Sequence, residues 1–121
     1  MINIQNLLGE RIIKILCVTD NQKTSGYDRI IMVFRDCYII LSVDIQSDEI
    51  EITITNVCQE TEAFQPKWSN AFIQHKLADV WEMKNINGYN DSICFGFDFS
   101  LPTLLFSCAA SEIKVGTIVY T

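Results

Sequence analysis

Trp81-Glu82-Met83-Lys84-Asn85-Ile86-Asn87-Gly88-Tyr89-Asn90-Asp91 is the stretch that decides how this chain is read. A strand-like segment leads into a polar turn holding an Asn-Gly pair, and Ile93, Cys94, Phe95 and Phe97 lead out of it. Asn-Gly between apolar segments is the strongest short-range hairpin signal, because both residues tolerate the positive φ that a tight, correctly twisted turn requires. A fainter copy stands upstream, where Ser25-Gly26-Tyr27-Asp28 precedes Ile30, Ile31, Val33 and Phe34.

Working outward, the β-branched and apolar runs predict strands at 11–19, 30–34, 37–43, 49–55, 77–84, 93–99, 103–109 and 112–120. The fourth alternates cleanly, with Ile50, Ile52 and Ile54 on one face and Glu49, Glu51, Thr53 and Thr55 on the other, so one face is wet. Ile4, Leu7 and Leu8 after Asn3 predict a short opening helix, and Ser69 reads as the cap of a second helix over 70–76. Pro66, Lys67 and the carboxylates Glu60 and Glu62 mark 56–68 as a linker or ordered surface loop.

The two halves echo one another. Leu7, Leu8, Arg11, Ile12, Ile15 and Val18 return 65 residues later as Phe72, Ile73, Lys76, Leu77, Val80 and Met83. Gly26-Tyr27 returns as Gly88-Tyr89, and Phe34, Leu41, Glu49 and Ile50 return as Phe97, Leu104, Glu112 and Ile113. The expected fold is a single α+β domain over 1–121, mostly antiparallel β. It is built as two tandem pseudo-repeats, about 1–55 and 69–121, each a short helix followed by about four strands. Neither repeat could bury its apolar face alone, so the two should pack face to face or pair strands about a pseudo-twofold axis.

With 121 residues, 49% of them apolar and 20% charged, the chain has ordinary globular composition. A net charge of −6 repels nucleic-acid phosphates and suits a basic protein partner. No apolar run reaches the ~18 residues a membrane helix needs, and the opening lacks the basic and apolar regions of a signal peptide, so a cytoplasmic location is expected. Cys17, Cys37, Cys58, Cys94 and Cys108 are odd in number and form no C-x-x-C pair, and four lie in apolar runs. They read as reduced, buried thiols, with Cys58 the most reactive.

The chemistry of an enzyme is hard to assemble from these residues. His75 is the sole histidine, and Asp79, one helical turn on, is its nearest candidate partner. No spacing supplies three or four zinc ligands. Asp44-x-Gln46-x-Asp48 resembles the opening of a calcium loop, but Glu49 stands where the glycine belongs and Thr55 where the bidentate Glu belongs. No cofactor is expected. Two readings fit Trp81, Tyr89, Asn90 and Asp91. In one they form a partner-binding surface patch. In the other, Trp81 and Tyr89 lie in the core, Gly88 takes positive φ, and Asn90 or Asp91 closes the turn through its side chain.

The motif formed by Trp81, Asn85, Gly88, Tyr89 and Asp91, with the closing Ala110-Ser111-Glu112-Ile113-Lys114-Val115, resembles a small family of uncharacterised bacterial proteins. Its members share a W-x-x-x-N-x-x-G-Y-x-D hairpin and an A-S-x-I-x-V ending. The resemblance implies a single-domain cytosolic accessory, similar in kind to immunity proteins that neutralise a cognate toxin, and it implies no catalytic residues. The expected function is therefore a non-enzymatic protein-binding module that occludes a basic toxin's active site. Its contact residues would be Asp44, Asp48, Glu49, Glu51, Glu60, Glu62 and Trp68. A structural or regulatory homodimer pairing through an exposed strand is the alternative.

Overall fold

The computed structural model describes residues 3–19, 26–58 and 62–121. Eight strands form two antiparallel four-stranded meanders. The first holds β1 (Lys14–Val18), β2 (Arg29–Val33), β3 (Tyr38–Asp44) and β4 (Glu49–Thr55). The second holds β5 (Leu77–Lys84), β6 (Asn90–Phe97), β7 (Leu104–Ala109) and β8 (Glu112–Thr117). Strand order is sequential in each sheet, so the two halves share one connectivity.

Alternation builds the core. Ile15 and Cys17 on β1, Ile30 and Met32 on β2, Ile39 and Leu41 on β3, and Ile50 on β4 face inward from the first sheet. Ile93, Phe95 and Phe97 on β6, Leu104 and Phe106 on β7, and Ile113 on β8 meet them from the second. Both inner faces feed one apolar cluster, because a meander with a single apolar face needs another layer to cover it.

The helical part of the expected α+β class is corrected. Among the described residues the helical content is two 3-10 turns, Ile4–Leu7 and Lys67–Ala71. Asn3 does cap the first, its Oδ1 accepting from the Asn6 amide at 3.3 Å. Ser69 caps nothing: it lies inside the second turn, fully buried, and its hydroxyl donates to the Pro66 carbonyl at 2.6 Å. A Ser that bonds its own turn's backbone competes with helix extension, and the chain leaves the turn at Phe72. Strand β6 starts at Asn90, three residues earlier than expected, and Phe99 falls beyond its end, 74% exposed.

The halves meet on equivalent positions. Arg11 and Lys76, which the echo equates, form an antiparallel bridge. Around it the Gly9 amide donates to the Leu77 carbonyl, Leu77 to Glu10, Ile12 to His75 and Gln74 to Ile12, at 2.7–3.1 Å. At the other end, Asp48 Oδ1 accepts from the amide of Ser111, 63 residues on, at 2.9 Å. Glu49 stands 63 residues before Glu112, so the strand-four offset equates Asp48 with Ser111 as well. Residues that the echo equates are thus in contact at both ends of the seam.

Candidate functional site

The deciding stretch forms the β5–β6 hairpin as expected, but a different side chain closes its turn. Asn85 Oδ1 accepts from the amides of Asn87 (2.8 Å) and Tyr89 (3.2 Å), and Gly88 has φ +88°. Asn90 and Asp91 open β6 instead. Asn85 Nδ2 also reaches Asp91 Oδ2 at 3.4 Å, so the polar residues of the motif brace one another. Tyr89 is 47% exposed, and Trp81, half-buried, sits on the outer face opposite Cys94. The expectation that both lie in the core is corrected: the strand parity that turns Val80 inward turns Trp81 outward.

The contact residues expected from sequence separate into seam and surface. Asp44 Oδ1 accepts from the Gln46 amide at 2.9 Å and closes the β3–β4 turn. Asp48, at φ 57°, accepts from the Cys108 thiol (3.0 Å) as well as from the Ser111 amide. The thiol hydrogen bond, then the amide, hold its carboxyl below the usual range. In return, burial and this carboxylate push the Cys108 thiol up to about 12. Ala110 and Ser111 both have positive φ, as a two-residue primed hairpin turn requires without glycine, and Asp48 secures that turn.

Glu49 Oε2 accepts from the Asn90 amide at 2.8 Å, so Glu49 is engaged across the seam rather than free. Its equivalent Glu112 is buried against Gly26, where an added Cβ would lie 2.9 Å from that of Glu112. Trp68 is half-buried: its indole N–H donates to the Tyr27 hydroxyl at 3.1 Å and its ring meets Phe106 edge-on at 6.1 Å. Glu62 is exposed on the linker, and Glu60 lies outside the described residues. Glu51 lines a cavity.

That cavity is an open groove of about 420 Å³ between β4 and β6. Ile50, Ile52 and Ile93 form its apolar part, and Glu51, Glu82 and Asn90 its polar part, with no Lys or Arg in the lining. Asn90 Oδ1 itself is buried and has no hydrogen-bond partner among the described residues. Sequence reasoning missed Glu82. Its signal was the echo, which pairs this carboxylate with the buried Cys17, a charge at a core-equivalent place.

His75 pairs with Asp98, not Asp79: Nδ1 lies 2.5 Å from Oδ2, and both residues are exposed. Asp79 instead accepts from the Ser100 hydroxyl at 2.9 Å. The His75 contact, then the Lys76 amide, lower the Asp98 carboxyl. Among the described residues no Ser, Thr or Cys side chain bonds to His75, and no three His, Cys, Asp or Glu could hold a metal ion together. Nor is any described helix long and apolar enough to cross a membrane.

A family model matches residues 1–119, described as a family of unknown function, DUF6334. The chain belongs to DUF6334. Neither the curated proteins nor the solved structures compared with this DUF6334 member match it.

Proposed function

We propose that this DUF6334 member is a non-enzymatic, cytoplasmic protein-binding module of the immunity type, which neutralises a basic toxin by covering its active site. The observation that carries the reading is the groove between β4 and β6, with two carboxylates and no cation in its lining, on a chain of net charge −6. Carboxylates that serve no turn or seam are free to meet a cationic rim. An acidic site of this kind captures a basic partner quickly through electrostatic steering. The binding face is thereby drawn around Glu51 and Glu82 rather than Asp48 and Glu49, which the seam already uses.

The test is co-expression with the polypeptide encoded immediately upstream of this gene. Wild-type protein should restore growth and capture that polypeptide in vitro. Reversing Glu51 and Glu82 to Lys should weaken capture, more at low salt than at high, while melting curves change little, since exposed substitutions cost about 0.5 kcal/mol or less. Absence of protection by the wild type, or equal capture by the variant at low salt, removes this function.

A further inference from the structure

The echo relates the β5 edge beside the β4–β6 groove to the edge of β1, and at β1 that edge has a partner. On β1, Cys17 forms an antiparallel bridge with Phe64: its amide donates to the Phe64 carbonyl at 2.8 Å, and the Phe64 amide donates back at 3.0 Å. The Phe64 ring lies 6.1 Å from that of Tyr27, with Trp68 behind it against Tyr27 and Phe106. A short piece of the chain's own linker thus extends the first sheet by one bridge and covers that side with aromatic rings.

The echo equates Cys17 with Glu82, by the same offset that the Arg11–Lys76 bridge realises. Among the described residues none bridges to Glu82 as Phe64 does to Cys17. β5 is an edge strand, and among the described residues its backbone from Ala78 to Lys84 makes no backbone–backbone hydrogen bond outside its pairing with β6, though the Val80 amide donates to Asp79 Oδ1 at 2.9 Å. The closure differs too. Tyr27 and Ile113 exchange both backbone bonds, whereas the Asn90 amide donates to the Glu49 side chain, and the groove beside it is open.

We propose that the free edge of β5 at Glu82 takes an extended basic peptide segment of a partner, as β1 takes Phe64 by backbone pairing, and that a large apolar side chain of the segment enters the β4–β6 groove. Edge pairing supplies backbone hydrogen bonds, and the groove supplies selection among side chains. Ile50, Ile52 and Ile93 receive the apolar side chain, while Glu51 and Glu82 select flanking Lys or Arg. The inference rests on the binding face proposed above and names the form in which a partner enters it.

The probe is the capped pentapeptide Lys-Ala-Phe-Gln-Lys, its centre copied from residues 63–65, titrated into isotopically labelled full-length protein. Amide shifts should saturate below about 1 mM and map to residues 79–84 and 50–53. N-methylation of the peptide's Phe removes one donor without touching the protein and should weaken binding about tenfold, as should the Glu51→Lys, Glu82→Lys variant.

No saturation at about 1 mM, equal affinity of the N-methylated peptide, or shifts elsewhere would overturn the proposal. So would concentration-dependent shifts of the same amides without peptide, which would put a second copy of the chain on this edge. Protection from the upstream toxin that depends on Glu51 and Glu82, with no peptide binding, sinks strand addition alone. Peptide binding without protection sinks the immunity role alone.

Discussion

Trp68 offers the sharpest separation between a residue that meets a partner and one that staples the two halves. Its indole donates to Tyr27 of the first half and its ring packs edge-on against Phe106 of the second, so Trp68→Ala removes a hydrogen bond and two ring contacts together. A hydrogen bond contributes about 1 kcal/mol and each aromatic pair about 0.5–1.5 kcal/mol, which totals about 3 kcal/mol. That is the low end for truncating a large aromatic residue, as suits one half-buried rather than fully enclosed. At about 2.1 cal/mol/K per residue, unfolding 121 residues carries about 0.25 kcal/mol/K, so Tm should fall by about 12 °C. Trp68→Phe keeps one six-membered ring but loses the N–H and the rest of the indole, so its fall should lie between about 4 and 12 °C. Calorimetric scans of the three proteins decide the matter. A fall of under about 3 °C for the alanine variant would refute the staple and return Trp68 to the free surface.

The remaining predictions concern charges and thiols. The folded-state carboxyls of Asp48 and Asp98 lie below their unfolded value, so each adds stability that is fully present above about pH 4 and lost as pH falls through the depressed folded value. Melting curves should show Tm dropping below about pH 4, and Asp48→Asn should flatten the drop. Burial holds Cys17 at about 12, and burial with Asp48 holds Cys108 there. A mild alkylating reagent at pH 8 should therefore modify Cys58 first, and native modification of both Cys17 and Cys108 would contradict their burial. Glu49→Lys should lower stability by about 1 kcal/mol, because the Asn90 amide loses its acceptor, whereas Glu51→Lys should leave Tm within about 2 °C of wild type.

Sequence patterning reached the strands because each buries one face: the Ile50-Ile52-Ile54 alternation marks β4 at the bounds it takes. The echo of Arg11 in Lys76 was legible for the same reason, and these two residues touch. The helical turns were misread because Ala71, Phe72 and Ile73 offer an apolar side that a helix or a tight turn can bury equally well, and Ser69 spends its hydroxyl inside the turn. Asp48 and Glu49 looked like free charges because their acceptors' work lies across the seam, with donors at Ser111 and Asn90 that no local pattern announces. The groove was invisible for a related reason: Glu51 and Glu82 belong to different sheets, and only packing brings them to one cavity.

The seam also sets an order of events. Within each sheet every ladder joins strands adjacent along the chain, so loop closure is short and entropically light. The contacts that weld the halves, such as Asp48 with Ser111, span 63 residues and must wait for both meanders. During translation the first meander is complete once β4 has emerged, and its inner face of Ile15, Ile30, Met32 and Leu41 then stands without a cover. At ribosomal speeds of about 5–20 residues per second, the rest of the chain takes about 3–13 s to appear. For that interval the nascent half-protein is a sheet with one greasy side and two open edges, the form most exposed to chaperones and to wrong neighbours.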